Sequence, residues 1–415
     1  MIVKPAQSSN IKNILEKLNT FNSDPENGTT RVLFTEPEVE ARKYIKEEMK
    51  KNGLVVREDS IGNIFATLEG TDPDLPPVWT GSHIDTVLKA GMFDGMAGVV
   101  AGIEAARLIK ESKIPHKRNI EVIVYTSEEP TRFGLSCLGS RAMAGYLSLE
   151  QAKRLKDKQG NSLAEVLEGL GYDLSKFDEI SFKKGEVFAA VELHIEQGAV
   201  LESMGLPIGI VDTISGPTKL EVSVYGKQSH AGGTPMNLRH DAFLACSEIA
   251  LKVEKLAKKS SSKDTVATVG LVNVIPNASN VISGEVHFSL DIRDSDYEVK
   301  HKLIEELKDF TKQLEKSRGV TIKIRQINDD LPTKSDDRII EIFENSCKEK
   351  NISYHKMVSG AFHDSMMVGK FAPIAMIFVP SKDGISHNPA EWTDYDDIAK
   401  GTDILADGLL KLSND

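Results

Sequence analysis

The alternation of apolar and polar residues separates helical from extended segments at the start of the chain. Apolar residues recur at three- and four-residue spacing in residues 10–20 and 37–51, which predicts two amphipathic helices. Residues 54–68 alternate in short stretches, so we predict a hairpin or strand pair there.

Two apolar runs and an intervening helical segment predict an α/β sheet. Residues 76–80 and 119–125 are typical of buried strands, and residues 97–109 are rich in Ala, Val and Ile, as expected of a helix packed on a sheet. Open sheets of this kind usually bind their ligands at strand ends. Polar residues that directly follow these strands are therefore the first candidates for a functional site.

The pattern changes after Pro217, where short alternating stretches are separated by two helical segments. The predicted order is strand, helix, strand, strand, helix, strand, which is that of a ferredoxin-like split unit. The segments concerned are residues 220–225, 241–256, 266–274, 285–292, 299–316 and 321–324. Residues from about Leu331 onward resume the earlier pattern.

These segments predict two domains, one inserted into the other. We predict an α/β domain with a mixed sheet and flanking helices, formed by residues 1–215 and 331–415. An inserted ferredoxin-like α+β domain occupies residues 216–330. A length of 415 residues agrees with two domains, since single cores rarely grow so large.

Composition and charge exclude several classes of protein. The net charge of -11 and the lack of a dense Lys/Arg stripe argue against nucleic acid as a partner. The first residues include no long apolar segment, so we expect neither a signal peptide nor a membrane span. Only three cysteines occur, widely spaced, which fits a reducing cytoplasm rather than a disulfide framework.

Cys137 is the cysteine to weigh as a nucleophile, because it lies just beyond a pair of glutamates. The alternative is a small buried residue in a Gly- and Ser-rich turn. No base lies near Cys137 in the sequence, so we favour the buried residue.

The glutamate pair Glu128 and Glu129 directly follows the second apolar run, in VIVYTSEEP. Two adjacent carboxylates at a strand end are costly unless positive charge lies beside them. Neighbours on an extended segment point in opposite directions, so one can bind a metal ion while the other faces a water molecule. A solvated pair is the alternative, and Pro130 and the apolar strand weaken it.

Three histidines and two aspartates stand in similar positions: His83, His194, His387, Asp85 and Asp94. Asp85 is two residues from His83, so strand alternation places both on one face, where the carboxylate can orient the ring. Alone, each residue has a simpler interpretation, such as a turn Asp, a helix N-cap or a surface histidine. Together they are the ligands and the free carboxylate that a two-metal hydrolase needs.

The segments around these residues resemble one family. They are GSHIDTVLKAGMFDG, TSEEPTRFGLSCLGSR, ELHIEQG, SHAGGTPM and GISHNPAEW. They are similar to the amidase branch of the dinuclear metallo-aminoacylase and carboxypeptidase superfamily, which includes N-carbamoyl-L-amino-acid, allantoate and ureidoglycolate amidohydrolases. The likeness runs from about Thr35 to the end of the sequence. It implies a catalytic α/β domain interrupted by a lid and dimerisation domain, and hence a homodimer.

The resemblance also implies roles for the residues of the catalytic domain. One metal ion would be held by His83, Asp94 and His194, and a second by Asp94, Glu129 and His387, with Asp94 bridging. Glu128 would be the general base and Asp85 would orient His83. The two ions per subunit would be zinc or manganese, with cobalt or nickel as further options, because mixed His and carboxylate ligands do not select among them.

The inserted domain contributes further residues by the same resemblance. His230 matches a histidine that reaches the partner subunit's site and stabilises the oxyanion. Asn280 and Arg293 match the pair that binds the substrate carboxylate, a task that suits the guanidinium fork. A loop Asn and a strand-end ion pair remain the alternatives for these two. Lys219 lies near a position where relatives carry a substrate-binding arginine.

The substrate expected from this resemblance is a small carboxylate with a ureido group. The His194 position usually carries a carboxylate in peptidase relatives, so histidine there favours ureido acids over an aminoacylase or dipeptidase. Phe362 in SGAFHDS and the segment after Glu129 look like the ureidoglycolate enzymes. SHAGGTPM and GISHNPAE look more like the carbamoylases and allantoate enzymes, and Gly233 replaces a usual threonine. A catalytically silent binding protein on the same scaffold is the alternative from another class.

Overall fold

The computed structural model describes residues 4–415, so the first three residues of the predicted 1–215 segment lie outside the described part. The helices are α1 Ser8–Asn19, α2 Glu36–Lys51, α3 Met96–Ser112, α4 Leu138–Met143, α5 Leu149–Ala152, α6 Leu163–Gly169, α7 Val200–Met204, α8 Ala242–Lys258, α9 Tyr297–Arg318, α10 Asp337–Glu349, α11 Asp364–Val368 and α12 Tyr395–Asn414. Short 3-10 helices span Leu174–Ile180, Met236–Leu238 and Lys382–Gly384.

The strands are β1 Val55–Glu58, β2 Ile64–Leu68, β3 Val78–His83, β4 Ile120–Tyr125, β5 Ala189–Ile195, β6 Ile208–Ile214, β7 Gly216–Tyr225, β8 Ser229–His230, β9 Val266–Ile275, β10 Val281–Ile282, β11 Glu285–Asp294, β12 Thr321–Asp329, β13 Thr333–Lys334, β14 Tyr354–Ser359 and β15 Ile374–Val379. Within residues 4–415, every helix is too short or too polar to cross a membrane.

The described residues form two compact units. Residues up to Asp212, 334–357 and 363–415 form the first, and residues 213–333 with 358–362 form the second. The limits that we predicted for the inserted domain, 216 and 330, and its role as a lid and dimerisation domain stay predictions.

The first unit is built on a large mixed sheet with flanking helices, as predicted. Its strand order is β1-β2-β4-β3-β5-β15-β6-β13, and β14 also pairs with β6. The central strands β4, β3, β5 and β15 are parallel to one another, whereas β1, β2 and β6 join the sheet antiparallel. Strands β3, β4, β5 and β15 are buried along their whole length, which fits the apolar residues that dominate β4 and β15.

Helix α3 packs closely on the sheet of the first unit. It is apolar on nearly all sides because it contacts β3 and β5 on one side and α12 on the other. Gly98 allows the closest approach, since a Cβ at this position would lie 2.2 Å from the backbone oxygen of Leu193 in β5. The helix therefore lies directly against the strand that carries His194.

The second unit has the ferredoxin-like arrangement that the alternation predicts. The order β7-α8-β9-β11-α9-β12 folds into an antiparallel sheet with strand order β12-β7-β11-β9. Alternate residues of β11 are buried, and they pack with α8 and α9 into a separate hydrophobic core. The period-two pattern therefore reflects a sheet with one covered face.

The predicted helices and strands differ from the observed ones by a few residues at their ends. Helix α9 begins at Tyr297 rather than 299, because the Asp296 side chain accepts hydrogen bonds from the backbone N–H groups of Glu298 and Val299. The predicted strand at 321–324 continues to Asp329 as β12. The predicted strand pair at 54–68 is the antiparallel pair β1 and β2.

We expect Gly98→Ala to destabilise the protein by about 1–3 kcal/mol, because the added methyl group meets backbone on a rigid strand. Gly169→Ala at the end of α6 is the matched control, since a Cβ there meets nothing within 4 Å. It should be neutral or slightly stabilising through helix propensity. The midpoint of urea unfolding measures both variants. Equal midpoints would mean that α3 does not depend on close contact with β5.

Candidate metal centre

The candidate site lies at the carboxyl ends of the parallel strands of the first unit. His83 is the last residue of β3, His194 is the next-to-last residue of β5, and Glu128 and Glu129 follow the end of β4. Asp94 lies in the loop before α3. Because β3, β4 and β5 run parallel, their carboxyl ends meet at one edge of the sheet.

Asp94 is the residue on which two groups of donor atoms converge. One group is His83, Asp94 and His194, and the other is Asp94, Glu129 and His387; in each, the ligand atoms lie within 4.8 Å of one another. The Oδ1 atom of Asp94 is 3.2 Å from Nε2 of His194 and 4.0 Å from Nε2 of His83. Its Oδ2 atom is 3.0 Å from Nε2 of His387. Each carboxylate oxygen therefore faces one group.

His387 joins the second group from a turn after β15. Its Nε2 atom lies 3.1 Å from Oε1 of Glu129 and, as above, close to Asp94. The backbone of His387 has a φ of 54°, in the left-handed region that only a few non-glycine residues adopt. The side chain is half-exposed, whereas the other four donor residues are buried.

Backbone carbonyl groups orient the two buried histidines. Nδ1 of His83 lies 3.0 Å from the carbonyl oxygen of Asp85, and Nδ1 of His194 lies 2.9 Å from that of Ile195. With a metal ion bound, an Nδ1–H that donates to a carbonyl would leave the Nε2 lone pair for the ion, as a ligand requires. Gly95 lies against the His83 ring and has a φ of 71°. A Cβ atom at this position would lie 2.4 Å from Nε2 of His83, so the close approach needs glycine.

Asp85 contacts both His83 and the glutamate pair. Its Oδ1 atom is 3.6 Å from Nδ1 of His83, longer than a hydrogen bond. Its two carboxylate oxygens accept hydrogen bonds from the backbone N–H groups of Glu128 (3.3 Å) and Glu129 (3.2 Å). The residue predicted to orient His83 through its carboxylate thus contacts the ring more closely through its own carbonyl, and its carboxylate holds the Glu128–Glu129 backbone.

Burial and mutual repulsion shape the ionisation of this site. Burial, followed by the nearby charge of Glu129, raises the pKa of Glu128 well above its ordinary value. Burial opposes ionisation of Asp94 too, but hydrogen bonds with His194 and His387 outweigh it and hold its pKa well below the usual range. Contacts with Asp94 and Glu129 raise the pKa of His387 to about 11.

The donor set fits divalent metal ions. Each group combines imidazole nitrogen with carboxylate oxygen, and both buried histidines present Nε2. Many carboxyl groups are also buried near these donor atoms, among them Asp85, Asp94, Glu128, Glu129, Glu192, Asp364 and Glu391. A cation between these groups would relieve their repulsion.

Three polar residues beside the donor atoms were missed by sequence reasoning. Gln197 donates to Oδ2 of Asp94 at 3.0 Å, and its own Oε1 is buried without a hydrogen-bond partner among residues 4–415. Ser386 lies 3.2 Å from the same oxygen, and Glu391 accepts from the Asp94 backbone. All three lie in ELHIEQG and GISHNPAEW, motifs from which we had named only the histidines as site residues.

A second polar cluster includes His194. Glu192, His194 and His363 form a third group of close donor atoms, and the rings of His194 and His363 are 4.6 Å apart. Ser82 and Ser365 each donate to Glu192 at 2.7 Å. Burial, followed by the charge of Glu192, raises the pKa of Asp364 to about 7. The sequence had indicated this segment only through Phe362 and its neighbours.

Cys137 is fully buried at the start of α4, with Sγ 3.7 Å from Oε1 of Glu128. Burial raises the pKa of its thiol well above the ordinary value, so the nucleophilic thiolate is disfavoured. This agrees with the small buried residue that we favoured over a nucleophile.

The remaining predicted residues lie in the second unit. His230 is exposed on the two-stranded ribbon of β8 and β10, and its Nδ1 accepts hydrogen bonds from the N–H groups of Gly232 and Gly233 at 3.1 and 3.0 Å. The neutral ring therefore carries its proton on Nε2, where it can be donated. Asn280 immediately precedes β10, and its carbonyl accepts from the Ala231 N–H.

Arg293 and Lys219 lie on the sheet of the second unit. The Arg293 fork is held by the carboxylate of Asp291, at 2.8 and 3.0 Å, and Nη1 donates to the Gly360 carbonyl at 2.8 Å. Lys219 lies opposite Asp291 in the pairing of β7 and β11. The predicted site residues thus divide into a group that converges on Asp94 and four residues on the second unit.

Comparison with known proteins shows which family this chain resembles. The model of peptidase family M20/M25/M40 matches residues 79–411. A ureidoglycolate hydrolase of Arabidopsis thaliana is 42% identical over 411 residues, 98% of this chain and 86% of that protein. An N-carbamoyl-L-amino acid amidohydrolase of Geobacillus stearothermophilus is 39% identical over 391 residues, 94% of this chain and 95% of that protein. The crystal structure of a hydantoinase/carbamoylase family amidase from Burkholderia multivorans matches with a TM-score of 0.91 at 32% identity, covering 99% of both chains.

We expect Asp94→Ala to lose bound divalent metal at both donor groups, because one carboxylate faces both. Elemental analysis of the purified variant, beside the wild type and the exposed-surface control Asp74→Ala, measures this. Full metal occupancy in Asp94→Ala would reduce Asp94 to a turn residue.

Proposed function

Because the chain belongs to peptidase family M20/M25/M40, we propose that it is a dinuclear metal-dependent amidohydrolase of ureido acids. It hydrolyses the ureido C–N bond of a small carboxylate and yields carbon dioxide, ammonia and an amine. The observation that carries the proposal is the convergence of two imidazole–carboxylate donor groups on Asp94. The buried carboxylate of Glu128 lies beside them and takes no part in either group.

The metal ligands in this proposal are the two donor groups. His83, Asp94 and His194 hold one divalent ion, and Asp94, Glu129 and His387 hold the other. Zinc or manganese suits these ligands, and cobalt or nickel is compatible with them. When bound, such ions polarise a carbonyl group and make water a better nucleophile.

Glu128 is the proposed general base. Burial raises the pKa of Glu128, which makes its carboxylate more basic than an exposed one and suits it to accept a proton from the attacking water. It then returns this proton to the leaving nitrogen. The Asp85 carboxylate accepts a hydrogen bond from the backbone N–H of Glu128, so a second carboxylate helps to hold the proposed base in place.

We propose that residues of the second unit bind the substrate. Nε2–H of His230 is the proposed donor to the developing oxyanion. Arg293 grips the substrate carboxylate, because Asp291 already orients its planar fork. Asn280 and Lys219 are proposed to assist Arg293.

We also propose that the protein is a cytoplasmic homodimer that forms through its second unit. Large exposed apolar side chains on that unit support this: Met236, Leu238, Leu251, Leu271 and Val272 are each at least 47% exposed. In this dimer His230 serves the site of the partner subunit. The three buried, free cysteines agree with a reducing compartment.

A side-by-side substrate panel tests the proposed reaction. Metal-free protein is reloaded with Mn²⁺, Zn²⁺, Co²⁺ or Ni²⁺ and given allantoate, ureidoglycolate, N-carbamoyl amino acids, N-acetyl amino acids and dipeptides. Ammonia release from ureido acids, without hydrolysis of N-acetyl amino acids or dipeptides, would support the proposal. Turnover of acetylated amino acids or dipeptides would replace it with an aminoacylase or dipeptidase. Failure to bind metal or to turn over any substrate would favour a silent scaffold.

We expect Glu128→Gln to abolish turnover on the best panel substrate while metal content stays at the wild-type value. The amide keeps the shape of the side chain but cannot accept the proton. Steady-state kinetics with elemental analysis measures the two properties separately, and Glu150→Gln on the surface is the control. If metal were lost together with activity, Glu128 would belong to the ligand set.

We expect Arg293→Ala to lower kcat/KM. The loss should correspond to about 1.5–3 kcal/mol of transition-state stabilisation, the range for a hydrogen bond to a charged group. Metal content should not change. Arg293→Lys should restore only part of the loss, because an ammonium group lacks the fork. Arg325→Ala is the matched control, since Arg325 also pairs with a carboxylate, Glu221, across the same sheet. Wild-type kinetics in Arg293→Ala would mean that another group binds the carboxylate.

A further inference from the structure

Glu391 lies between the two loops that carry Asp94 and His387. It is 4% exposed and follows His387 by four residues. Its Oε1 atom accepts hydrogen bonds from the backbone N–H groups of Phe93 (2.9 Å) and Asp94 (3.1 Å). Its Oε2 atom accepts from the hydroxyl group of Ser386 at 2.8 Å. One carboxylate therefore connects segments that lie almost 300 residues apart in sequence.

Ser386 extends this connection to the Asp94 side chain. Its hydroxyl oxygen lies 3.2 Å from Oδ2 of Asp94 and, as above, closer to Glu391. A hydroxyl group has one proton, so Ser386 donates to one carboxylate at a time. The shorter contact indicates Glu391 as the acceptor, so Ser386 does not occupy Oδ2 of Asp94 with its proton.

The turn that carries His387 needs such support. His387 has a left-handed backbone, which costs free energy for a residue with a Cβ and persists only where neighbours hold it. Ser386 precedes His387 and is held by the Glu391 side chain. The Glu391 N–H closes the turn on the other side by donating to the Asn388 carbonyl at 3.0 Å.

The loop before Asp94 is shaped to receive the Glu391 side chain. A Cβ at Gly91 would lie 2.3 Å from Cβ and 2.4 Å from Oε1 of Glu391, so a larger residue cannot stand there without displacing the carboxylate. Next to this contact, the rings of Phe93 and Trp392 meet edge to face at 5.3 Å. The aromatic pair joins the two loops as well, but only the carboxylate holds the backbone N–H of Asp94.

Burying a carboxylate costs desolvation free energy, whereas apolar contacts could join two loops without that cost. We infer that Glu391 is a positioning residue that sets the geometry of Asp94 and His387 and thereby strengthens divalent-cation binding at the group of Asp94, Glu129 and His387. This inference rests on the metal ligands of the proposed function. Outer contacts of this kind change metal affinity about 10–100-fold when they are removed.

The test is a calorimetric titration of metal-free protein with Mn²⁺ alone. Glu391→Gln keeps the shape of the side chain but leaves one acceptor oxygen for two loops, so Mn²⁺ binding should weaken by about 10–100-fold. Gly91→Ala should have a similar effect by displacing Glu391, and Ser386→Ala a smaller one. Thermal unfolding of the metal-free forms, recorded in parallel, separates positioning from a general loss of structure.

Asp336→Asn is the matched control for the same chemical change. Asp336 accepts hydrogen bonds from two backbone N–H groups, of Arg338 and Ile339, at the start of α10 and has no contact with the donor residues. Its Mn²⁺ binding should equal that of the wild type.

The outcomes separate this inference from the proposed function. Wild-type affinity in Glu391→Gln would overturn the inference and leave the proposed function intact. If Glu391→Gln did not fold, wild-type affinity in Ser386→Ala would overturn it, and weakened binding with unchanged unfolding would support it. A wild-type protein that binds no Mn²⁺, Zn²⁺, Co²⁺ or Ni²⁺ would remove both.

Discussion

The carboxylate of Asp94 is buried where the imidazole rings of His83, His194 and His387 meet, and the arrangement of the site depends on this one group. A buried carboxylate is stable as an anion only when positive charge or hydrogen-bond donors surround it. Here each of its oxygens faces a different donor group. The loop before α3, the strand β5 and the turn after β15 are therefore all placed with respect to one residue.

The parallel sheet of the first unit makes this convergence possible. Because β3, β4 and β5 run in the same direction, side chains at their carboxyl ends come from distant parts of the chain and still share one edge. Backbone carbonyls at those ends orient His83 and His194 without a further side chain. The histidines are thus positioned by the regular part of the fold, whereas Asp94 and His387 on loops need side-chain support.

Carboxylates at this edge outnumber the nearby cationic groups, and their roles differ according to their contacts. Asp85 and Glu391 accept backbone N–H groups and hold loops in place. Glu128 takes part in neither donor group, and its pKa is raised by burial and by the charge of Glu129. The same residue type therefore occurs here in different settings, which burial and hydrogen bonding distinguish.

The sequence alone predicted the six main elements of the second unit and, in the first unit, α1, α2, α3 and β1 to β4, because apolar runs or periods mark them. It did not predict the short helices α4 to α7 or strand β6. It also predicted His83, Asp94, Glu128, Glu129, His194 and His387 as candidates, since these residues directly follow apolar strands or lie in Gly-rich turns within recognisable motifs. The structure brings five of them together as donor groups, with Glu128 beside them.

Only the tertiary structure decided the supporting contacts. Three contacts join residues that are 43 to 298 positions apart. The Asp85 side chain accepts a hydrogen bond from the Glu128 backbone, Gln197 donates to Asp94, and Glu391 accepts from Phe93. No local period or spacing encodes such a pair, because the distance between two side chains on different loops is set by how the strands associate. A sequence therefore indicates which groups can react, while the packing of distant segments determines which groups hold them.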